Sequence, residues 1–488
     1  MKANKYIDKI EYLGQDILIK WVVWISYTII VAVLCSIHEP WGDEHHVWSM
    51  VYRMSLPELW SSMRIEGHFM LWHLCVLPWV KLFDMDYHAL FVTSTIIMSL
   101  GVWLMLFKLE FSFIGKLFII FSAPFLYYFP VIARCYALIP PILIALAVVN
   151  QSKKHPYLFC FLIGLLAHTH AYMEGMVGII WCLFVYDYVY IPYKRGEIQR
   201  AKRNGWASLV TVALVLLAFM QVMGGIADAA SGTSVAMKRV SSPVGWILSV
   251  YEKHHIQITT TLHTHVSACI PNIDLAITLS LYVAITILSF LFIQKTNNKK
   301  GNVLIIGVTI IWQILFALNI YSMQFQRIYL LYMPILYVIW SGYNNINIKY
   351  SIWIVVCVWL LNTPAQYDIL KDIKQEYCYD VTAAKHLKTS LPEGCHLLSY
   401  AEECSRLLKN EIMFLDERIN NGETLDAILL NTYPNNSVLY LITSDNIDSV
   451  RHRGLQLPIE KICATIEGNN TFTGIGYERN IYLYKITR

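Results

Sequence analysis

Apolar runs long enough to cross a bilayer, which takes roughly 20 residues per helix, recur along the chain as far as residue 362. The first, about 17–37, follows Lys2, Lys5, Lys9 and Lys20, and no small-x-small site closes it. It is a signal anchor that stays in the membrane rather than a cleaved leader. Further runs at about 87–107, 117–132, 135–150, 157–172, 175–191, 205–224, 272–293, 302–321, 328–343 and 350–362 predict about eleven spans. Lys and Arg placement sets the orientation. Lys108, Lys116, Lys153-Lys154, the stretch Lys194 to Arg203, Lys295 and Lys299-Lys300 fall on the side of the N-terminus, which is therefore cytoplasmic. Segments 38–86 and 225–270 become outer loops. Within the first, 44–54 and 55–65 have the pattern of short amphipathic helices, and Ser55-Leu56-Pro57-Glu58 resembles a capping box. The run 68–83 carries His68, His73, Pro78 and Lys81 and fits a helix lying along the surface. A full span there would put the later basic loops outside.

After residue 362 the pattern changes. Helical periodicity at Val381–Thr389 and Ala401–Leu408 alternates with strand-like runs at His396–Tyr400, Val438–Thr443, Lys461–Ile466 and Asn480–Ile486. Such alternation predicts a small α/β domain. The division is thus 1–362, a membrane domain, and 363–488, an extracytoplasmic α/β domain. No glycine-rich phosphate loop opens a helix in the tail, which argues against nucleotide binding there. Cys378, Cys395, Cys404 and Cys463 fall in this part and are candidates for pairing in an oxidising compartment.

Composition agrees with the spans. Of 488 residues 56% are hydrophobic and only 15% charged, where a soluble protein carries about 25% charged residues. The chain is a polytopic α-helical protein of a plasma (inner) membrane, surrounded by membrane lipids, and nothing in it calls for a nucleic-acid partner. The 31 Tyr and 15 Trp suit the membrane–water interface.

The candidate chemistry lies in the segment His38-Glu39-Pro40-Trp41-Gly42-Asp43-Glu44-His45-His46 and, further on, Glu66-Gly67-His68. Ionisable groups at a membrane face usually handle something charged or reactive. Asp43 and Glu44 open a helix, whose N-terminus keeps a carboxylate ionised and basic. Helix capping is the bland alternative for either acid. Asp43, His45, His46, Glu66 and His68 are residue types that ligate divalent metals, but no metal-site spacing links them. Arg134 and Arg327 each open or close an apolar run at the outer side, where snorkelling competes with a second role. Guanidinium groups fit phosphate oxygens in two-pronged geometry, so two of them on one face point to a membrane-embedded phosphate. His168, His170 and Glu174 cap another outer helix end. His254, His255, His263 and His265, with Lys238 and Arg239, occupy the loop 225–270, which has the length of a lid.

At these residues the chain resembles the GT-C membrane glycosyltransferases, which include protein O-mannosyltransferases and bacterial aminoarabinose transferases. The resemblance rests on Asp43-Glu44 after the first span, Glu66-Gly67-His68-Phe69 later in that loop, Arg134-Cys135-Tyr136 after the third span, and Arg327 opening a late span. Phe69 stands where relatives often have Pro. The resemblance covers most of 1–362 and implies a bacterial envelope enzyme. Such an enzyme moves a sugar, with inversion, from a polyprenyl-phosphate carrier to a glycan, lipid or protein acceptor at the outer face. It implies Asp43 as base, with Glu66 as the second candidate for that role and Glu44 as a further catalytic carboxylate. His68, Arg134, Tyr136, His168, His170 and Arg327 would bind the lipid phosphate and sugar, in one hollow shared with the acids. No cofactor is required, although a divalent metal is compatible with the residue types. A flippase or transporter of a lipid-linked glycan, and a polysaccharide polymerase or ligase, are the rival readings. Transporters often show repeated halves, and none is visible here.

Overall fold

The computed structural model describes residues 10–66, 69–152, 154–230, 273–319, 325–343, 348–363, 366–374, 378–400, 403–415, 423–434, 436–452, 455–467 and 479–487. The chain packs into two compact units. One comprises 1–36, 54–78 and 90–370, and the other 37–53, 79–89 and 371–488.

The first unit is helical. Its principal helices are α1 (Ile17–Ile37), α3 (Leu56–Glu66), α5 (His88–Phe107), α6 (Phe113–Ile120), α7 (Ile139–Ser152), α8 (Pro156–Ala167), α9 (Glu174–Val185), α10 (Ile198–Ala230), α11 (Ile273–Gln294), α12 (Lys299–Asn319), α13 (Met333–Gly342) and α14 (Ile348–Asn362). Among the described residues six helical stretches are long and apolar enough to cross a membrane. On α1 the side chains of Val22, Ile25, Ile29 and Val33 are exposed, as expected of a helix whose solvent is hydrocarbon. Its polar groups turn inward instead, with Trp24 Nε1 donating to Ser99 O at 2.8 Å and Thr28 bonded to Ser99 Oγ. Small residues allow close helix crossings elsewhere. A Cβ on Gly164 of α8 would stand 2.4 Å from Leu214 of α10, and one on Gly175 of α9 would stand 2.3 Å from Trp312 of α12.

Several expected spans are not continuous α-helices. The run 117–132 is α6 up to Ile120 and then a wide turn, Pro124–Tyr128, closed by Phe129 N–H on Pro124 O. Pro124 lacks the N–H that would continue the ladder. The run 328–343 begins as a tight three-residue-per-turn helix, Phe325–Tyr332, and becomes α13 only at Met333, with Pro334 in its first turn. The expected span 157–172 stops as α8 at Ala167, leaving His168-Thr169-His170 outside regular helix.

The second unit is an α/β fold with an added helix from early in the chain. That helix is α2 (Gly42–Arg53), and α4 (Leu71–Phe83) ends in this unit. The linker helix α15 (Gln366–Lys374) leads into α16 (Asp380–Ser390), β1 (His396–Ser399), β2 (Ile412–Phe414), α17 (Leu425–Thr432), β3 (Val438–Thr443), α18 (Ile447–His452), β4 (Ile459–Glu467) and β5 (Arg479–Thr487). The sheet order is β2-β1-β3-β5-β4, parallel across the first three strands and antiparallel thereafter. Alternation along the strands feeds two cores. Leu398, Leu439, Leu441 and Ile486 pack with Ile428, Leu429 and Val450 of α17 and α18. Leu397, Ile442 and Leu483 pack with Ala383 and Leu387 of α16. The expected helix over 401–408 is a short tight helix, Glu403–Leu407. Cys378, Cys395, Cys404 and Cys463 all carry free thiols, so no disulfide joins them.

Candidate active site

The acid–histidine segment is built into the second unit. Helix α2 begins at Gly42, and Glu44 in its first turn accepts from Trp41 N–H at 3.3 Å, a side-chain cap on the helix start. The same Glu44 Oε2 lies 3.2 Å from His38 Nε2, while His38 Nδ1 lies 2.7 Å from Asp372 Oδ2 on α15. All three side chains are buried. Burial alone would lower the imidazole pKa, but the facing carboxylates of Asp372 and Glu44 outweigh it and raise it to about 10. His38 is therefore an imidazolium with both ring N–H groups donating to carboxylates.

The residue after Glu44, His45, meets Asp380 Oδ2 through Nε2 at 3.0 Å. Asp380 opens α16, and Cys378 lies beside it. Burial, followed by the Asp380 charge, pushes that thiol pKa well up, so it stays protonated. The far end of α2 is fastened as well. Arg53 donates to Leu408 O at 2.6 Å, Asn410 O at 2.7 Å and Ser49 Oγ at 3.2 Å. Tyr52 Oη reaches Lys409 O at 3.3 Å. With Glu44 and His45 facing inward, Asp43 and His46 are the ionisable groups of this turn that keep partial exposure.

A second cluster belongs to the helical unit. The break after Pro130 leaves Arg134 in extended backbone, followed by a tight turn over Cys135–Leu138. Arg134 is buried, and its guanidinium carbon stands 5.7 Å from the centre of the Tyr136 ring, a cation–π contact. The Tyr136 ring is tilted against His170, centroids 5.0 Å apart, with Oη 3.4 Å from His170 Nε2. His170 Nδ1 accepts from Tyr172 N–H at 3.1 Å. A neutral His170 therefore carries its proton on Nε2, directed at Tyr136. His168 does not join this group through its polar atoms: Nε2 donates to Leu214 O at 2.9 Å, and the ring lies edge-on to Phe69. Arg327 is buried in the Phe325–Tyr332 segment. Two residues on, Tyr329 packs on Tyr128, centroids 4.6 Å apart, and Tyr128 donates a short hydrogen bond to Asp368.

The remaining sequence candidates fall elsewhere. The Glu66 side chain and His68 lie outside the described residues, as does the loop 231–272 with its histidines, Lys238 and Arg239. Among the described residues no three His, Cys, Asp or Glu side chains gather as a metal-binding group. Asp372, Asp380 and Asp368 escaped sequence reasoning. The available signal was Asp368 and Asp372 at helical i, i+4 spacing just after the last apolar run.

No family model matches the sequence. No curated protein matches it either. Its fold, however, is similar to that of a solved structure, ArnT from Cupriavidus metallidurans bound to undecaprenyl phosphate, with a TM-score of 0.57 at 10% identity. The match covers 95% of this chain and 98% of that one. The chain thus has an ArnT-like fold, with a helical membrane unit, as the sequence pattern and the resemblance imply, and a small sheet unit, as the pattern of the tail predicts.

Proposed function

We propose that the protein is an inverting glycosyltransferase that takes a sugar from a polyprenyl-phosphate carrier and places it on an acceptor hydroxyl at the outer face of the membrane. The observation that carries this reading is the shared fold, over nearly the whole of both chains, with a protein whose structure holds undecaprenyl phosphate. In the reaction the acceptor oxygen attacks the anomeric carbon. The bond from that carbon to the phosphate oxygen breaks, and the electron pair leaves with the polyprenyl phosphate. The acceptor proton passes to a base. Asp43 suits that task because it keeps exposure at a helix N-terminus while Glu44 is enclosed. Glu66 is the second candidate base. Arg134 and Arg327 neutralise charge growing on the departing phosphate. Tyr136 and His170, already in contact with each other, orient it, with His68 and His168 as further contacts. A phosphate monoester is a good leaving group, so neither a strong general acid nor a cofactor is needed, and a divalent metal would act only as an added clamp on the phosphate. The setting is a bacterial inner membrane, N-terminus cytoplasmic and α/β unit extracytoplasmic.

The test is release of polyprenyl phosphate from a radiolabelled polyprenyl-phosphate sugar by the purified protein, with a membrane extract as acceptor source. Release that is lost in Asp43→Asn supports the reading. Movement of intact donor across vesicle membranes without cleavage would replace it with a flippase.

A further inference from the structure

A small cavity of about 40 Å³ lies among α7, α8, α9 and the first turns of α10. Its polar lining is His155, Arg200, Arg203 and Asn204, and Phe159 and Tyr188 are among its aromatic walls. Arg200, Arg203 and Asn204 are spaced i, i+3, i+4 and share one face of α10. Asn204 is almost completely buried. Its Nδ2 donates to Tyr188 O at 2.7 Å, which fixes the amide, and its Oδ1 has no hydrogen-bond partner among the described residues. Arg200 gives one prong to Glu197 at 2.9 Å. Two guanidinium groups and an imidazole therefore line the cavity together with one buried acceptor. The glutamate offsets only part of that charge.

Large apolar side chains lie nearby on the same elements. Tyr157, Leu158 and Phe161 on α8 and Trp206 and Leu209 on α10 are exposed, as are Tyr186, Tyr190 and Tyr193 after α9. Lys194 sits 5.1 Å from the Tyr190 ring centre. Exposed Tyr and Trp beside Lys and Arg mark the headgroup level of a bilayer, and basic pockets between helices at that level take anionic lipid heads. A freely diffusing anion would have no use for the apolar flank.

We propose that this cavity binds the head of an anionic phospholipid carrying a free hydroxyl, a phosphoglycerol type. The phosphodiester lies between Arg200, Arg203 and His155, a headgroup hydroxyl donates to Asn204 Oδ1, and the acyl chains run along α8 and α10. The room suits a phosphate and a hydroxyl, because one water needs about 10–15 Å³ by the same measure. The site does not depend on the glycosyltransferase reading.

The experiment is native mass spectrometry of the full-length protein released from detergent after titration with phosphatidylglycerol or phosphatidylcholine. One phosphatidylglycerol should be retained per chain, at least tenfold more tightly than phosphatidylcholine. Arg200→Ala with Arg203→Ala should remove that preference, and Asn204→Leu should weaken it severalfold. Circular dichroism melting separates misfolding from loss of binding. Should the double variant be misfolded, Asn204→Leu and His155→Gln carry the test. Equal retention of both lipids, or unchanged preference in folded variants, overturns the proposal. Displacement of phosphatidylglycerol by millimolar inorganic phosphate would overturn it in favour of a soluble anion.

Discussion

His45 Nε2 lies 3.0 Å from Asp380 Oδ2, both buried, although 335 residues separate them in sequence. This contact ties the start of α2 to the start of α16, and seven residues earlier His38, just ahead of α2, makes a like contact with Asp372 of α15. Replacing Asp380 with Ala leaves a buried imidazole without its acceptor, which costs about 2 kcal/mol. We expect Asp380→Ala to lower the unfolding temperature of the second unit, followed by tryptophan fluorescence in detergent, with Asp380→Glu recovering part of it. An unchanged transition would show that the pair contributes nothing.

Protonation of His38 gives the second prediction. Its folded pKa of about 10 lies above the usual 6.5, so folding favours the protonated ring. The stabilisation is complete below pH 6.5, declines as pH rises above that value, and is gone once pH passes about 10. Melting temperatures between pH 6 and pH 10 should fall for the wild type. The fall should be smaller for His38→Gln, which cannot titrate. Parallel slopes for the two proteins would refute the assignment.

Neighbouring acids should behave differently. Asp43 keeps exposure, so Asp43→Asn should leave the fold intact and reduce turnover by about 10²–10⁴-fold, the usual contribution of a general base. Glu44 caps α2 and binds His38. Glu44→Gln should therefore lower thermal stability. Turnover of the purified variants, with melting curves beside it, separates the two roles. Equal turnover loss with no loss of stability in Glu44→Gln would assign the chemistry to Glu44 instead.

Arg134 offers both a fork for phosphate oxygens and a flat face against Tyr136. Lys has the charge without either. Arg134→Ala should cost about 10²-fold in turnover, and Arg134→Lys should recover little of it. Inhibition by added polyprenyl phosphate checks the assignment, since a phosphate ligand lost from the site raises the inhibitor's Ki.

Helix crossing supplies a prediction independent of chemistry. Gly175→Ala would press a methyl group to 2.3 Å from Trp312 Cβ. Because that is the near end of the side chain, the helices must separate, at about 1–3 kcal/mol. Gly178→Ala meets nothing within 4 Å and is the control in the same detergent melt.

Local pattern made much of the architecture legible. Strands β1, β3, β4 and β5 lie close to where the apolar pattern put them; β1, β3 and β5 bury most of their length, whereas β4 is a largely exposed strand at the sheet edge. β2 was invisible because Ile412–Phe414 is three residues long, too short for a period to register. Pro124 is plain in the sequence, yet the apolar run around it hid the break. The Tyr136–His170 pair follows from residues that sequence reading had singled out separately. Asp380 left no local signal and Asp372 only its i, i+4 spacing from Asp368, because a buried acid is conspicuous only once its imidazole is known to face it, and nothing local connects residues 334 or 335 positions apart.

Residues 37–53 and 371–488 fold as parts of one unit, and this orders the birth of the protein. The ribosome makes His38 and His45 334 and 335 residues before their carboxylate partners. Until then the imidazoles of His38 and His45 have no Asp372 or Asp380 to meet. A chain stalled before residue 372 would lack both carboxylates that hold the start of α2, so this helix is fastened only after they are made.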